Sequence, residues 1–158
     1  MTPAIELLKR LGIEHRVIQY DHDPDHPSFG EEAVEALGID ADAAFKTLMV
    51  TLDDGRQAIG VVPVSCTLNL KAIAAAAGAK KATMTDPAEA ERRSGYVVGG
   101  ISPFGQKQLQ PTFVDEWATV LDEVHCSGGR RGLEVVVAPE AFTTALDAIF
   151  APIAAWPS

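Results

Sequence analysis

The chain lacks most of the residue patterns that announce metal, redox or polyanion chemistry. It contains only two cysteines, Cys66 and Cys126, and neither forms a CxxC pair or joins histidines at metal-ligand spacing, which argues against a zinc site or a redox dithiol. Both lie in or beside apolar strand-like runs, so each is expected to be a small buried hydrophobe. No metal and no cofactor is indicated. Apolar runs of the ~18 to 20 residues that a membrane span requires are also missing, and the N-terminus has no charged-then-apolar signal pattern. The expectation is a cytoplasmic protein with no membrane partner. Basic residues are scarce as well: 13 Lys and Arg against 22 Asp and Glu give a formal net charge of −9, which argues against broad nucleic-acid binding through a basic surface.

That mean conceals an asymmetry. Residues 1–60 carry five basic and twelve acidic side chains, whereas residues 71–131 carry eight and seven. In the second stretch the pairs Lys80-Lys81, Arg92-Arg93 and Arg130-Arg131, with Lys107, either line one mouth of a binding site or are solvated turns and helix ends. The sequence supports both readings about equally.

With 158 residues, 47% of them hydrophobic, the chain suits a single domain over 1–158 with one sizeable core. Helix and strand signals alternate without repeats or an evident linker, the pattern of an α/β or α+β unit. Thr2-Pro3 starts a helix that Gly12 closes, and a strand follows over 13–20. After a loop over 21–27, Ser28 and Glu31 have capping-box spacing before a helix that ends at Gly38. A strand over 45–52 turns at Asp53-Asp54-Gly55 into a second over 57–64, a hairpin signal. Residues 69–77 read as a helix with Gly78 behind it, and Asp86-Pro87 opens another that ends near Ser94-Gly95. Short strands are expected around 96–98, 112–114, 120–126 and 133–137, with a final helix over 140–150.

Within the strand 45–52 the side chains alternate, so Lys46 shares a face with Leu48, Val50 and Leu52 while Thr47 and Thr51 point the other way. An unpaired lysine is rarely fully buried. Lys46 therefore either snorkels from the strand end or faces a polar cavity that receives an anion. The segment Gly99-Gly100-Ile101-Ser102-Pro103-Phe104-Gly105 is too rich in glycine for ordinary scaffold. Its glycines permit positive φ and let a ligand approach main-chain N–H groups, and Pro103 stiffens the turn, so the segment can form an oxyanion hole. It is neither a Walker loop nor a dinucleotide fingerprint. A second glycine-rich turn, Ser127-Gly128-Gly129-Arg130-Arg131-Gly132, adds a hydroxyl, and two such loops, each expected after a strand, point to a shared pocket. No Ser/His/Asp ordering stands out. His15, His22, His26 and His125 have no recognisable partner motif, and His22 and His26, in an acidic loop, are expected to be solvated.

Taken together these residues resemble the YbaK family of aminoacyl-tRNA deacylases, related to the editing domain inserted in bacterial prolyl-tRNA synthetases. The resemblance runs nearly end to end, through Met1-Thr2-Pro3-Ala4, Tyr20, Phe29-Gly30, Phe45-Lys46-Thr47-Leu48, Val62-Pro63-Val64, Gly78-Ala79-Lys80-Lys81, Gly95-Tyr96-Val97-Val98 and Ser127-Gly128-Gly129. Gly99 to Pro103 corresponds to the family's GxxxP loop and, with Lys46, makes the signal specific. Glu134 departs from the family pattern, which carries Asp there. The resemblance implies an α/β (α+β) fold in which a strongly curved mixed sheet forms a partly open barrel with helices packed outside. The pocket would lie between the Lys46 strand and the GxxxP loop.

The activity so implied is trans-editing hydrolysis of mischarged Cys-tRNA(Pro). A synthetase pocket for a small side chain discriminates poorly, because one methylene is worth only ~1 to 3 kcal/mol, and a second enzyme must remove the wrong product. The implied partners are the acceptor end of an aminoacyl-tRNA, chiefly tRNA(Pro), and prolyl-tRNA synthetase. In this reading Lys46 holds a phosphate or terminal ribose oxygen, and the amides of Gly99, Gly100, Ile101 and Ser102 stabilise the oxyanion. Tyr20 and Phe29 wall the aminoacyl or adenosine site, and Thr47, Pro103, Ser127 and Gly128 complete it. The family uses the substrate's own thiol as nucleophile, so the protein supplies positioning. Three alternatives stay open: a deacylase for alanine or another small amino acid with water or a ribose hydroxyl as nucleophile, a non-catalytic tRNA-end or nucleotide binding module, and a Schiff-base lysine enzyme.

Overall fold

The computed structural model describes the chain apart from Pro27 and the side chain of Phe29. Helix α1 spans Pro3–Arg10; the Thr2 side chain accepts from the Ile5 N–H, Pro3 occupies the first turn, and Ala4, Ile5 and Leu8 are buried. Strand β1 (His15–Gln19) and helix α2 (Phe29–Leu37) follow. Next come β2 (Phe45–Leu52) and β3 (Gln57–Pro63), the expected hairpin, with Gly55 at φ 90° in its turn. Then β4 (Thr67–Leu68), α3 (Leu70–Ala76), β5 (Ala82–Met84), α4 (Pro87–Ser94) and β6 (Thr112–Asp115) lead to a 3-10 turn at Glu116–Val120. The chain finishes with β7 (Val124–Arg130), β8 (Leu133–Val137), α5 (Glu140–Leu146), β9 (Ile149–Ala151) and β10 (Ala154–Ala155). Among the described residues no helix is long and apolar enough to cross a membrane.

The strands form a mixed α/β fold of three sheets: β5-β2-β3-β6-β9, β1-β8-β7 and β10-β4. In the five-stranded sheet β5, β2 and β3 are antiparallel neighbours, whereas β6 and β9 join in parallel. The two larger sheets meet at one bridge, Ala44 to His125, beside which the His125 N–H donates to the Ala43 carbonyl at 2.9 Å. Hydrogen bonding between them goes no further among the described residues, so the strands form separate sheets there and no closed barrel.

Alternation in β2 divides the core between its two faces. Phe45 and Met49 pack with Ile59, Val61 and the apolar residues of α1, β7, β8 and α5. On the opposite face Val50 and Leu52 pack with Ala58, Val62 and α3, and Leu48 lies against them. Lys46 thus begins the face the sequence pattern assigns to it. Cys66 and Cys126 are buried, as expected of small hydrophobes.

Several elements differ from the sequence expectation, each for a local reason. Residues 96–98 form no strand; they lead into a turn closed by the Gly100 N–H on the Val97 carbonyl at 2.8 Å. The strand expected over 120–126 starts at Val124 and continues to Arg130, because Asp115 accepts from the Trp117 N–H and initiates the 3-10 turn first. Most of the second glycine segment therefore lies within β7, as a bulge between Ser127 and Arg130, and only Arg131 and Gly132 follow it, as the turn into β8. Helix α5 stops at Leu146: Asp147 takes φ 53°, and Ile149–Ala151 pairs with β6 instead. Ser28 makes no side-chain capping bond, so the capping box is not formed. His22 and His26 are not simply solvated, since they contact Glu32 and Glu35, each at 3.0 Å.

Candidate active site

A cavity of about 390 Å³ opens where β2, the start of α2, the start of α4, the glycine loop and the β7–β8 hairpin converge. Its position follows from sheet pairing. Among the described residues, on the side of β2 away from β3, β5 pairs only with Val50 to Leu52, and β7 bridges only to Ala44, just before β2. The edge between them is open. The Met49 carbonyl accepts from Thr85 on that side at 3.0 Å. Backbone groups in a strand alternate, so the N–H and C=O of Thr47 point the same way, into the gap. The Thr47 hydroxyl is also buried without a hydrogen-bond partner, an unsatisfied polar group on the wall of the cavity.

Lys46 lines this cavity and is half-buried. It makes no hydrogen bond or ion pair among the described residues. Burial lowers its pKa from the usual lysine value, and the neighbouring Cys66 and Glu31 only partly offset that effect. The ammonium is therefore a cation in want of an anionic partner.

The glycine loop forms the facing wall, through Gly99 and Ile101. Gly99 stands third in the turn closed by Gly100, at φ 93°, a conformation that glycine adopts without strain. The N–H groups of Gly99 and Ile101 make no hydrogen bond among the described residues, whereas that of Gly100 is taken by Val97. Behind this rim the loop is fastened to the core. The Ser102 hydroxyl accepts from the Phe104 N–H at 3.2 Å, Tyr96 donates its hydroxyl proton to the Phe104 carbonyl at 2.6 Å, and Phe104 stacks on Phe142 at 5.3 Å.

The floor comes from the hairpin. Ser127 and Glu134 are cross-strand partners, so their side chains lie on one face, and both line the cavity. Glu134 is only 6% exposed and makes no hydrogen bond or ion pair among the described residues. Burial alone pushes its carboxyl up to about 8, so at neutral pH it is chiefly a protonated acid. Tyr20 closes one side, and burial raises its phenol pKa.

Of the residues expected from the sequence, Tyr20, Lys46, Thr47, Gly99, Ile101 and Ser127 thus meet around one cavity. Gly100, Ser102, Pro103 and Gly128 do not line it. Gly100 is spent on packing, since a β-carbon there would lie 2.7 Å from the Arg130 Cα. Ser102 and Pro103 are buried beneath the loop, and Gly128 offers its carbonyl to the Thr2 hydroxyl. Phe29 starts α2, but its side chain lies outside the described residues. Sequence reasoning passed over Met49 and Thr85 as site residues and left Glu134 without a role. For Glu134 the signal was present, as the one acid in the apolar run Leu133–Val137. Of the expected cationic pairs only Arg130 reaches this cavity; Arg92 and Arg93 are tied to Glu89, and the Lys80 and Lys81 amides donate to Asp53.

Comparison with known proteins places the chain in a family. Residues 23–145 match the family model of the aminoacyl-tRNA editing domain. Over 152 residues the chain is 32% identical to an Enterococcus faecalis protein named "Putative Cys-tRNA(Pro)/Cys-tRNA(Cys) deacylase EbsC", covering 96% of this chain and 92% of that one. It is 31% identical over 106 residues to the proline–tRNA ligase of Shouchella clausii, covering 67% of this chain and 18% of the ligase. A solved structure described as "a putative trans-editing enzyme for prolyl tRNA synthetase" superposes with a TM-score of 0.85 at 20% identity, over 97% of this chain and 95% of that one, a likeness of fold. With the family model spanning most of its length and one relative alike across nearly all of both chains, this chain belongs to the aminoacyl-tRNA editing domain family.

Proposed function

We propose that the protein is a trans-editing hydrolase that deacylates mischarged Cys-tRNA(Pro), with the substrate's own thiol as nucleophile. The observation that carries this reading is a small cavity lined by an unpaired, half-buried Lys46 and two unengaged loop amides, with no hydrogen bond between a nucleophile and a base among the described residues that line it. Such a site positions and stabilises without attacking. Lys46 binds a phosphate or ribose oxygen of the terminal adenosine. The amides of Gly99 and Ile101 receive the charge that develops on the ester oxygen; the Gly100 amide does not, being engaged with Val97. Attack of the cysteinyl sulfur on its own carbonyl forms the C–S bond of a cyclic thioester as the C–O bond to the ribose breaks; the thiol proton passes to the ribose oxygen, and water then opens the thioester to free cysteine. The tRNA is released uncharged. Relationship to the ligase and to EbsC supports prolyl-tRNA synthetase and tRNA(Pro) as partners. The test is a deacylation panel of one tRNA body charged with Cys, Ala, Ser and Pro; rapid loss of Cys alone is the expected result, and no hydrolysis of any ester would overturn the reading.

One feature favours a second reading, in which water deacylates alanine or another small amino acid. A buried carboxyl at about 8 beside Ser127 is poised as a general base near working pH. Under that reading the rate on Ala-tRNA rises with pH through about 8 and is lost in Glu134→Gln.

A further inference from the structure

A second cleft, of about 350 Å³, opens on the far side of the glycine loop and shares Val98 and Arg130 with the first cavity. Its lining is unusual for so acidic a chain, because Arg130, Arg131 and His22 all border it. Arg130 is exposed and makes no hydrogen bond or ion pair among the described residues. Arg131 is held differently: it donates to the Asp23 carbonyl at 3.1 Å and lies 3.8 Å from the Glu32 carboxylate, which answers part of its charge. The Arg130 guanidinium and His22 lie over the bare Cα of Gly132, where a β-carbon would come within 3.9 Å of Nη1 and 3.4 Å of the His22 Cβ. Val97, also in the lining, is 72% exposed. Because Gly100 packs directly on the Arg130 backbone, the loop and the arginine are held together where the two cavities join.

An aminoacyl ester seated in the first cavity is the end of a polynucleotide, and the strand leading to it carries a phosphate at each step. That strand needs a way out with a cation along it. Arg92 and Arg93 are engaged with Glu89, and neither Lys80 nor Lys81 borders either cavity. Arg130, shared by both, meets the requirement.

We propose that the second cleft is the exit track for the single-stranded nucleotides preceding the terminal adenosine, with Arg130 binding a backbone phosphate at the junction and Val97 giving a base an apolar face. The proposal rests on the first cavity being the aminoacyl-ester site. One charge-assisted contact on a net-negative protein gives shallow salt dependence and little discrimination between tRNA bodies.

The test measures binding of a short fluorescent single-stranded RNA ending in CCA, by anisotropy across a salt series, to the wild type, Arg130→Ala and Arg130→Lys. We expect Arg130→Ala to weaken binding roughly 10-fold and to flatten the slope of log affinity against log salt by ~0.7, the value for one phosphate contact on a single strand. Arg130→Lys should keep the slope. An unchanged affinity and slope in Arg130→Ala, or no binding by the wild type, overturns the proposal. Because the readout is binding, it separates from catalysis: an arginine-dependent slope in a protein that hydrolyses no aminoacyl-tRNA would sustain the track and remove the deacylase reading.

Discussion

Lys46 and Glu134 line one cavity without forming a pair. Had the two met, the ammonium would pull the carboxyl pKa down; instead the carboxyl rises to about 8 through burial, and the charges felt by Lys46 are those of Cys66 and Glu31. Cation and acid are therefore kept apart on different strands, one on β2 and the other on β8. Each is left to the ligand. An internal ion pair would cancel the charge that an anionic substrate needs.

Replacing Lys46 by Ala should lower deacylation at least ~100-fold, through loss of a charge-assisted contact to the substrate. The fold should survive, since the lysine is only partly buried and has no hydrogen-bond or ion-pair partner to strand among the described residues. Thermal melting alongside single-turnover rates checks both parts. Near wild-type turnover in a folded variant would remove Lys46 from the mechanism.

Glu134 should make stability fall as pH rises. Below about 4.5, the ordinary glutamate value, folded and unfolded states both hold the proton; between about 4.5 and about 8 only the folded state keeps it. Folding is then progressively disfavoured by up to ~1.4 kcal/mol per pH unit, and the loss levels off above the folded value. Glu134→Gln lacks this titration. Its melting temperature relative to wild type should therefore climb between pH 5 and pH 9, whereas a constant difference would mean that the carboxyl titrates normally.

Gly100 illustrates a different constraint. Its φ is not in the left-handed region, unlike that of Gly99, so substitution is resisted by space: a β-carbon would sit 2.7 Å from the Arg130 Cα and 3.0 Å from the Arg131 N. Backbone cannot rotate aside as a side chain can. Gly100→Ala should cost ~1 to 3 kcal/mol of stability and displace the Gly99 and Ile101 amides, and Gly100→Val should abolish turnover. A Val variant with unaltered melting and rate would show that the loop tolerates displacement.

Much of this was legible in the sequence, because strand alternation and helix-capping residues are local signals. The period of two in β2 placed Lys46 and Thr47 on opposite faces, and Gly12, Gly38 and Gly78 marked helix ends at φ 67°, 64° and 74°. What was not legible depends on distant partners. Residues 149 and 150 read as helix until β6 is there to pair with them. The Gly100 amide looks available until its turn closes, and the role of Glu134 stays open until β1 and β7 are seen to flank its strand. The open edge of β2 that creates the cavity results from two short pairings remote in sequence, to β5 and to His125.

The final prediction separates a substrate nucleophile from one supplied by the protein. Both protein thiols are poor candidates: Cys66 and Cys126 are buried, and burial raises both of their pKa values, so neither is a thiolate near neutral pH. Cys66→Ser should keep its activity, and Cys126→Ser should lose only what a hydroxyl in a fully buried site costs in stability. The informative comparison is Cys-tRNA with Ser-tRNA on the same tRNA body, whose side chains are close in size and differ mainly as nucleophiles. A pocket that sorts by size separates them weakly. Thiol attack separates them strongly, because a thiol is a few per cent thiolate near pH 7 and a hydroxyl essentially none. We expect a preference for cysteine of at least ~100-fold, about 2.7 kcal/mol in the transition state. Comparable rates would transfer the attack to water or a ribose hydroxyl, with Glu134 in the cavity lining as a candidate base, and an inactive but folded Cys66→Ser would transfer it to the protein.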